Sequence, residues 1–64
     1  MVRLLGIDLP KNKRIEYALT YIHGIGLASA QKIIQLAEIS PETRTDDITT
    51  EQTVLLRNIL ENLI

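Results

Sequence analysis

Three cations, Lys11, Lys13 and Arg14, crowd into four residues just ahead of an apolar helical pattern, and Tyr17 and Tyr21 follow within it. Turning each helical residue by 100° sets Arg14, Tyr17 and Tyr21 on one side, largely away from Ile15, Leu19 and Ile22. A cation beside aromatic rings can line an RNA groove, by phosphate pairing and base stacking. The same residues also read as a solvated patch, with the tyrosines wedged under an N-terminal arm. A second candidate is His23-Gly24-Ile25-Gly26, which separates two apolar helical patterns. Gly24 can take a left-handed conformation and end the first helix without steric cost. Gly26 leaves the backbone bare for close approach by another surface, and Ile25 can plug the groove between the helices. The amides near Leu27 to Ser29 lack intrahelical partners and form a site for phosphate, reinforced by the helix dipole. A tight structural turn between packed helices has the same wording, so the motif alone leaves both readings open.

Catalysis has little support. His23 is the only histidine, and there is no cysteine. It reads as a helix C-cap or a phosphate contact rather than an acid–base group. Ser29 and Ser40 have no evident base beside them. Asp46-Asp47 with Glu42 could hold a cation, but acids just before a helix more often serve as caps. No His/Cys/carboxylate set has metal-ligand spacing. Neither an enzyme nor a cofactor is expected.

The net charge of −1 conceals an asymmetry. Residues 1–14 carry +3 and residues 15–64 carry −4. A uniformly basic nucleic-acid binder is excluded, whereas a local basic patch near the N-terminus is not. No apolar run approaches the roughly 20 residues needed to span a bilayer, so no membrane partner is expected. The N-terminal residues have neither a secretory h-region nor a transit-peptide pattern. Sixty-four residues suit one small domain without disulfide support.

These residues must be positioned by an all-α arrangement of three helices with a short extended arm. Val2 to Ile7 reads as that arm or an edge strand, with Asp8-Leu9-Pro10 as a turn. The first helix is expected from an Asn12 N-cap to His23-Gly24, burying Ile15, Ala18, Leu19 and Ile22. Lys11, Lys13 and Arg14 would then lie at a helix start, where the dipole disfavours positive charge and an external anion would relieve it. The second helix is expected from Leu27 to Glu38, with Leu27, Ala30, Ile33, Ile34 and Ala37 inward and Ser40-Pro41 as its stop. Residues 41–48 form a polar connection, with a helical turn near Glu42 to Arg44. Thr49 and Gln52 fit a capping box for a third helix from Thr50 to about Asn62. Val54, Leu55, Leu56, Ile59, Leu60 and Leu63 make that helix apolar around much of its circumference, so a further partner or segment should pack on it.

The order of these blocks resembles a known family. Gly6-Ile7-Asp8-Leu9-Pro10-Lys11-Asn12-Lys13-Arg14-Ile15-Glu16 is followed by Leu19-Thr20-Tyr21-Ile22-His23-Gly24-Ile25-Gly26, then Ser40-Pro41-Glu42-Thr43-Arg44, Asp47-Ile48-Thr49 and Leu56-Arg57. Throughout its length the chain resembles the N-terminal part of small-subunit ribosomal protein thirteen, in its bacterial and plastid branch, with the plastid stroma favoured over a bacterial cytoplasm. The resemblance implies a helix–two-turns–helix domain, a structural place in the head of the small subunit, and contacts with ribosomal RNA. It also implies contacts with neighbouring ribosomal proteins, including a large-subunit protein across an intersubunit bridge. By motif, RNA contact carries over to Lys11, Lys13, Arg14, Gly24, Ile25, Gly26 and Arg44, with His23 added as a phosphate contact. The family's basic C-terminal tail has no counterpart in these residues, so its transfer-RNA contact does not carry over. The chain is expected to be one domain of a longer protein. The alternatives are a generic helix–hairpin–helix DNA clamp and a protein–protein module.

Overall fold

In the computed structural model, which describes residues 2–63, a small β-hairpin precedes three α-helices. The strands β1 (Arg3–Leu4) and β2 (Ile7–Asp8) pair antiparallel, with Arg3 opposite Asp8 and Leu4 opposite Ile7. Leu5 and Gly6 both have positive φ, at 51° and 78°, as a two-residue hairpin turn requires. The arm is therefore a hairpin rather than a single strand, and the turn lies at Leu5-Gly6, not at Asp8-Leu9-Pro10. Leucine is a poor residue for that conformation, so its sequence gives no turn signal. Leu4 and Leu9 anchor the hairpin in the core, and Leu9 N–H donates to the Val2 carbonyl at 2.8 Å.

Helix α1 spans only Ile15–Leu19. Its expected start at Asn12 is displaced because Asn12 has φ 55° and the next residues are committed elsewhere. Lys13 C=O accepts from Thr45 N–H, and Ile15 N–H donates to Thr43 C=O, both at 2.8 Å. Long-range backbone pairing thus overrides a good local cap. After Leu19 the chain continues in tighter turns, with Tyr21 N–H to Ala18 C=O and Ile22 N–H to Leu19 C=O. Ile15, Ala18, Leu19 and Ile22 are buried, as their spacing requires. Thr20 rather than His23 occupies the C-cap, because the last α-helical bond is made before the chain tightens.

Gly24, with φ 87°, reverses the chain into α2 (Leu27–Leu36). This helix buries Ala30, Ile33 and Ile34, and Ala37 beyond it, but leaves Leu27 39% exposed. Leu27 is the first residue of the helix. The helix stops before Ser40-Pro41. Glu38 takes φ 56°, Glu38 N–H donates to Gln35 C=O, and Ile39 N–H donates to Ile34 C=O. That is a Schellman closure with glutamate where glycine is usual. Buried Ile39 supplies its apolar contact.

The connection contains a 3-10 turn at Thr45–Asp47, three residues later than the helical turn expected at Glu42 to Arg44, because Arg44 is held in an extended bridge. Helix α3 (Thr50–Leu63) begins with the expected capping box: Thr49 N–H donates to Gln52 Oε1 at 2.9 Å, and Gln52 N–H donates to Thr49 Oγ1 at 3.1 Å. Leu56 and Leu60 are buried and Ile59 packs against the core, whereas Val54, Leu55 and Leu63 remain exposed. Helix α2 packs between α1 and α3, and α3 rests on β1. No helix among the described residues is long and apolar enough to cross a membrane.

The two glycines of the turn between α1 and α2 separate cleanly in stability. Gly24→Val should destabilise by about 1–3 kcal/mol, because a branched residue is forced into positive φ. Gly26 has φ −87° and ψ 178°, and an added Cβ would meet nothing within 4 Å. Serine is also the better N-cap, so Gly26→Ser should hold or slightly raise stability. Urea denaturation of both variants checks the pair.

Candidate functional site

Sequence separates Arg44 from Lys13 and Arg14 by some thirty positions, and the fold closes that gap. Arg14 and Arg44 pair in an antiparallel bridge. Asn12, Lys13, Arg14, Tyr17 and Arg44 line one shallow concavity. The strip is fastened by Thr45, which is only 4% exposed. Its hydroxyl donates to Pro10 C=O at 2.8 Å and accepts Lys13 N–H at 3.4 Å. Asp46 Oδ1 accepts Asn12 N–H at 3.2 Å, and Arg44 Nη1 reaches Asn12 C=O at 3.4 Å. Asp46 is therefore an anchor for the strip. Among the described residues, no group of three or more His, Cys, Asp or Glu side chains could hold a metal ion.

The backbone is occupied by this pairing, and the cationic side chains face solvent, with Arg44 keeping its contact to Asn12 C=O. Lys13, Arg14 and Arg44 are all exposed. The Arg14 guanidinium carbon lies 5.4 Å from the Tyr17 ring centroid, within cation–π range. Arg14 Nη1 is also 3.7 Å from Glu16 Oε1, which holds the side chain between ring and carboxylate. Tyr17 and Tyr21 are 44% and 55% exposed, so they are available to an outside surface and do not wedge under the arm. Lys11 lines a different concavity, with Asp46, Thr50 and Thr53.

The cations do not sit in the first turn of a helix. They precede it, and Glu16 occupies that turn. The dipole penalty assumed for Lys11, Lys13 and Arg14 therefore falls away as an argument for an anion. What replaces it is convergence: Arg44 adds a cation of its own to the Lys13–Arg14 edge. The only signal for this in the sequence is the run Thr43-Arg44-Thr45, whose β-branched residues favour an extended strip.

The His23-Gly24-Ile25-Gly26 turn lies beyond the other end of α1. His23, Gly24 and Gly26 are exposed, and Ile25 is half-buried against the core. Gly26 stands at the N-cap of α2 and makes no side-chain cap bond, which leaves the first amides of a ten-residue helix facing outward. Lys32 is the sole cation of α2. The expected site residues thus fall into a basic strip at the start of α1 and an uncharged backbone turn past its end.

Residues 3–64 match the family described as ribosomal protein S13/S18. Among curated proteins, the chain is 84% identical over 62 residues to small ribosomal subunit protein uS13c of Thalassiosira pseudonana, covering 97% of this chain and 50% of that protein. It is 76% identical over 63 residues to uS13c of Trieres chinensis, covering 98% and 51%. It is 54% identical over 61 residues to uS13 of Corynebacterium kroppenstedtii, covering 95% and 50%. The chain spans about half the length of the curated relatives it matches.

Removing the Thr45 hydroxyl should loosen the strip. Thr45→Val keeps the shape but leaves the Pro10 carbonyl unpaired, at a cost of about 1–3 kcal/mol. A thermal melt should fall by roughly 4–8 °C for each kcal/mol of destabilisation in a domain of this size. Hydrogen exchange at the Thr45 and Ile15 amides should accelerate in the same variant.

Proposed function

Since the chain belongs to the ribosomal protein S13/S18 family, we propose that it builds part of the small ribosomal subunit by holding ribosomal RNA on the Lys13–Arg14–Arg44 strip. The family is one of structural ribosomal proteins and not of enzymes. The observation that carries the RNA reading is the convergence of Lys13, Arg14 and Arg44 beside the exposed Tyr17 ring in a chain whose net charge is −1. Positive charge so concentrated suits a phosphate backbone, and the ring beside it suits an unstacked base. Lys11 extends the positive potential round the edge. The backbone of His23-Gly24-Ile25-Gly26 and the free amides of α2 supply a second contact, through phosphate at a helix N-terminus.

The finer placement follows the family. We assign the chain to the N-terminal domain of a longer protein in the head of the small subunit. Its neighbours there are other ribosomal proteins, including a large-subunit protein across an intersubunit bridge. The plastid ribosome is its location: identity reaches 84% with a diatom uS13c and 54% with the bacterial uS13. Transfer-RNA contact is not assigned to these residues. A generic DNA clamp would need a basic second helix, and Lys32 alone does not make one.

Glutamine at Lys13, Arg14 and Arg44 should weaken binding to small-subunit ribosomal RNA and flatten its salt dependence. The log–log slope should fall by about 0.7–0.9 for each phosphate that the variant no longer neutralises. Gly26→Ser, which spares stability, should weaken binding without changing that slope appreciably, because it removes an approach and not a charge. Filter binding over a salt series reads both. An unchanged slope in the triple variant would reduce the strip to a solvated face.

A further inference from the structure

Tyr17 and Tyr21 are the only aromatic residues of the chain, and neither is in the core. Among the described residues every buried hydrophobic side chain is leucine, isoleucine or alanine. Aromatic rings carry large apolar area and dominate the energetics of cores and interfaces. Here both are kept out of the core and presented on the surface, four residues apart and beside the basic strip. Their backbone is fixed. Tyr17 N–H donates to Arg14 C=O and Tyr21 N–H donates to Ala18 C=O, both at 3.1 Å. Thr20 Oγ1 donates to Tyr17 C=O at 2.5 Å. Each ring therefore has only its two side-chain torsions to lose on binding. Arg14 lies over the Tyr17 ring and lines one concavity with it, Lys13 and Arg44. Tyr21 follows at i+4, where side chains are neighbours on a helical surface. Four residues advance this stretch, part α-helical and part tighter turn, by roughly 6–8 Å. That is the length of about two base steps of 3.4 Å. Along the chain the rings stand between the strip and the Gly24–Gly26 turn, the two phosphate contacts assigned above.

We propose that Tyr17 and Tyr21 form a stacking platform for unpaired bases, so that the RNA held by the strip is a loop, a bulge or a strand end and not continuous duplex. The proposal deepens the RNA reading and rests on it. In an A-form duplex the base faces are closed by their neighbours, the major groove is too deep and narrow for side chains, and the minor groove shows edges only. A ring stacks on a base only where that base is splayed out. The cations and the rings then divide the work. Lys13, Arg14 and Arg44 hold phosphate and set the salt dependence. The rings add affinity that salt does not screen, and they select for unpaired nucleotides. The planar Arg14 guanidinium serves both, since it pairs with phosphate and extends the Tyr17 surface. Base identity is not read in this way, because every base has a π-face. A protein partner is disfavoured by the three cations gathered on the same face.

The test uses the full-length protein with ring-labelled tyrosine and two probes, a short oligoadenylate and a blunt RNA duplex of the same length. In NMR titrations the ring protons of Tyr17 and Tyr21 should move upfield with oligoadenylate, the signature of a base stacked on them, and should stay in place with the duplex. Leucine at both positions keeps every charge and removes both rings. That variant should bind oligoadenylate roughly five-fold or more weaker for each ring lost, with the salt slope unchanged and duplex binding held. Phenylalanine at both positions should restore binding. Tyr21→Leu alone leaves the Arg14–Tyr17 contact intact and keeps the test valid if the double variant folds poorly. Upfield shifts with both probes, or with neither, would overturn the proposal. Unchanged oligoadenylate binding in the leucine variants would also overturn it and would leave the rings to a protein partner. Failure of the rings beside a flattened salt slope in the Lys13, Arg14 and Arg44 variant would spare the RNA reading. An unchanged slope in that variant would overturn both.

Discussion

Thr45 is the residue through which two distant parts of the chain are joined. Its amide donates to the Lys13 carbonyl, its hydroxyl donates to the Pro10 carbonyl, and the next pairing, Ile15 N–H to Thr43 C=O, sets the first turn of α1. Buried backbone groups must find partners, and the Pro10–Ile15 segment finds them here and not within a helix. Three consequences follow from that one constraint. Helix α1 is shortened to five residues. The hairpin, anchored by Leu4 and Leu9, is brought over the core beside α3. Arg44 is drawn level with Arg14, which makes a basic face that neither segment has alone.

Charge is sorted by the same geometry. Lys13, Arg14 and Arg44 turn their cations outward along the paired strip, while Glu16, one step into α1, lines a groove beside α2. Arg14 spans the boundary, with Tyr17 on one side and Glu16 on the other. A chain close to neutral overall can therefore gather cations on one face. Net charge is a poor guide to the partners of such a small domain, because potentials act over about a Debye length of 8–10 Å.

Much of the fold was legible because it is local. The spacing of Ile15, Ala18, Leu19 and Ile22 encodes the buried side of α1, the Thr49/Gln52 pair encodes the start of α3, and Gly24 encodes the reversal. What escaped was decided at long range or against local preference. Asn12 looks like a cap, yet tertiary pairing takes its neighbours. Leu5 and Glu38 occupy positive φ without being glycine or asparagine, so no turn rule flags them. For the site, Lys11, Lys13 and Arg14 stood out by crowding, but their partnership with Arg44 is a property of the fold. The family resemblance named Arg44 without giving a physical reason, and the bridge to Arg14 supplies one. The groove edged by Glu16 and Glu38 had no sequence signature, since one acid comes from α1 and the other from the turn after α2.

The basic strip is tested most directly by comparing side-chain reactivity in two states of the same protein. Lysine and arginine modification, read residue by residue by mass spectrometry, would be measured on the free full-length protein and on the assembled small subunit. Lys13, Arg14 and Arg44 should react freely in the first state, as their exposure requires, and should all be protected in the second. Equal reactivity of the three in both states would contradict the assignment of this face to RNA.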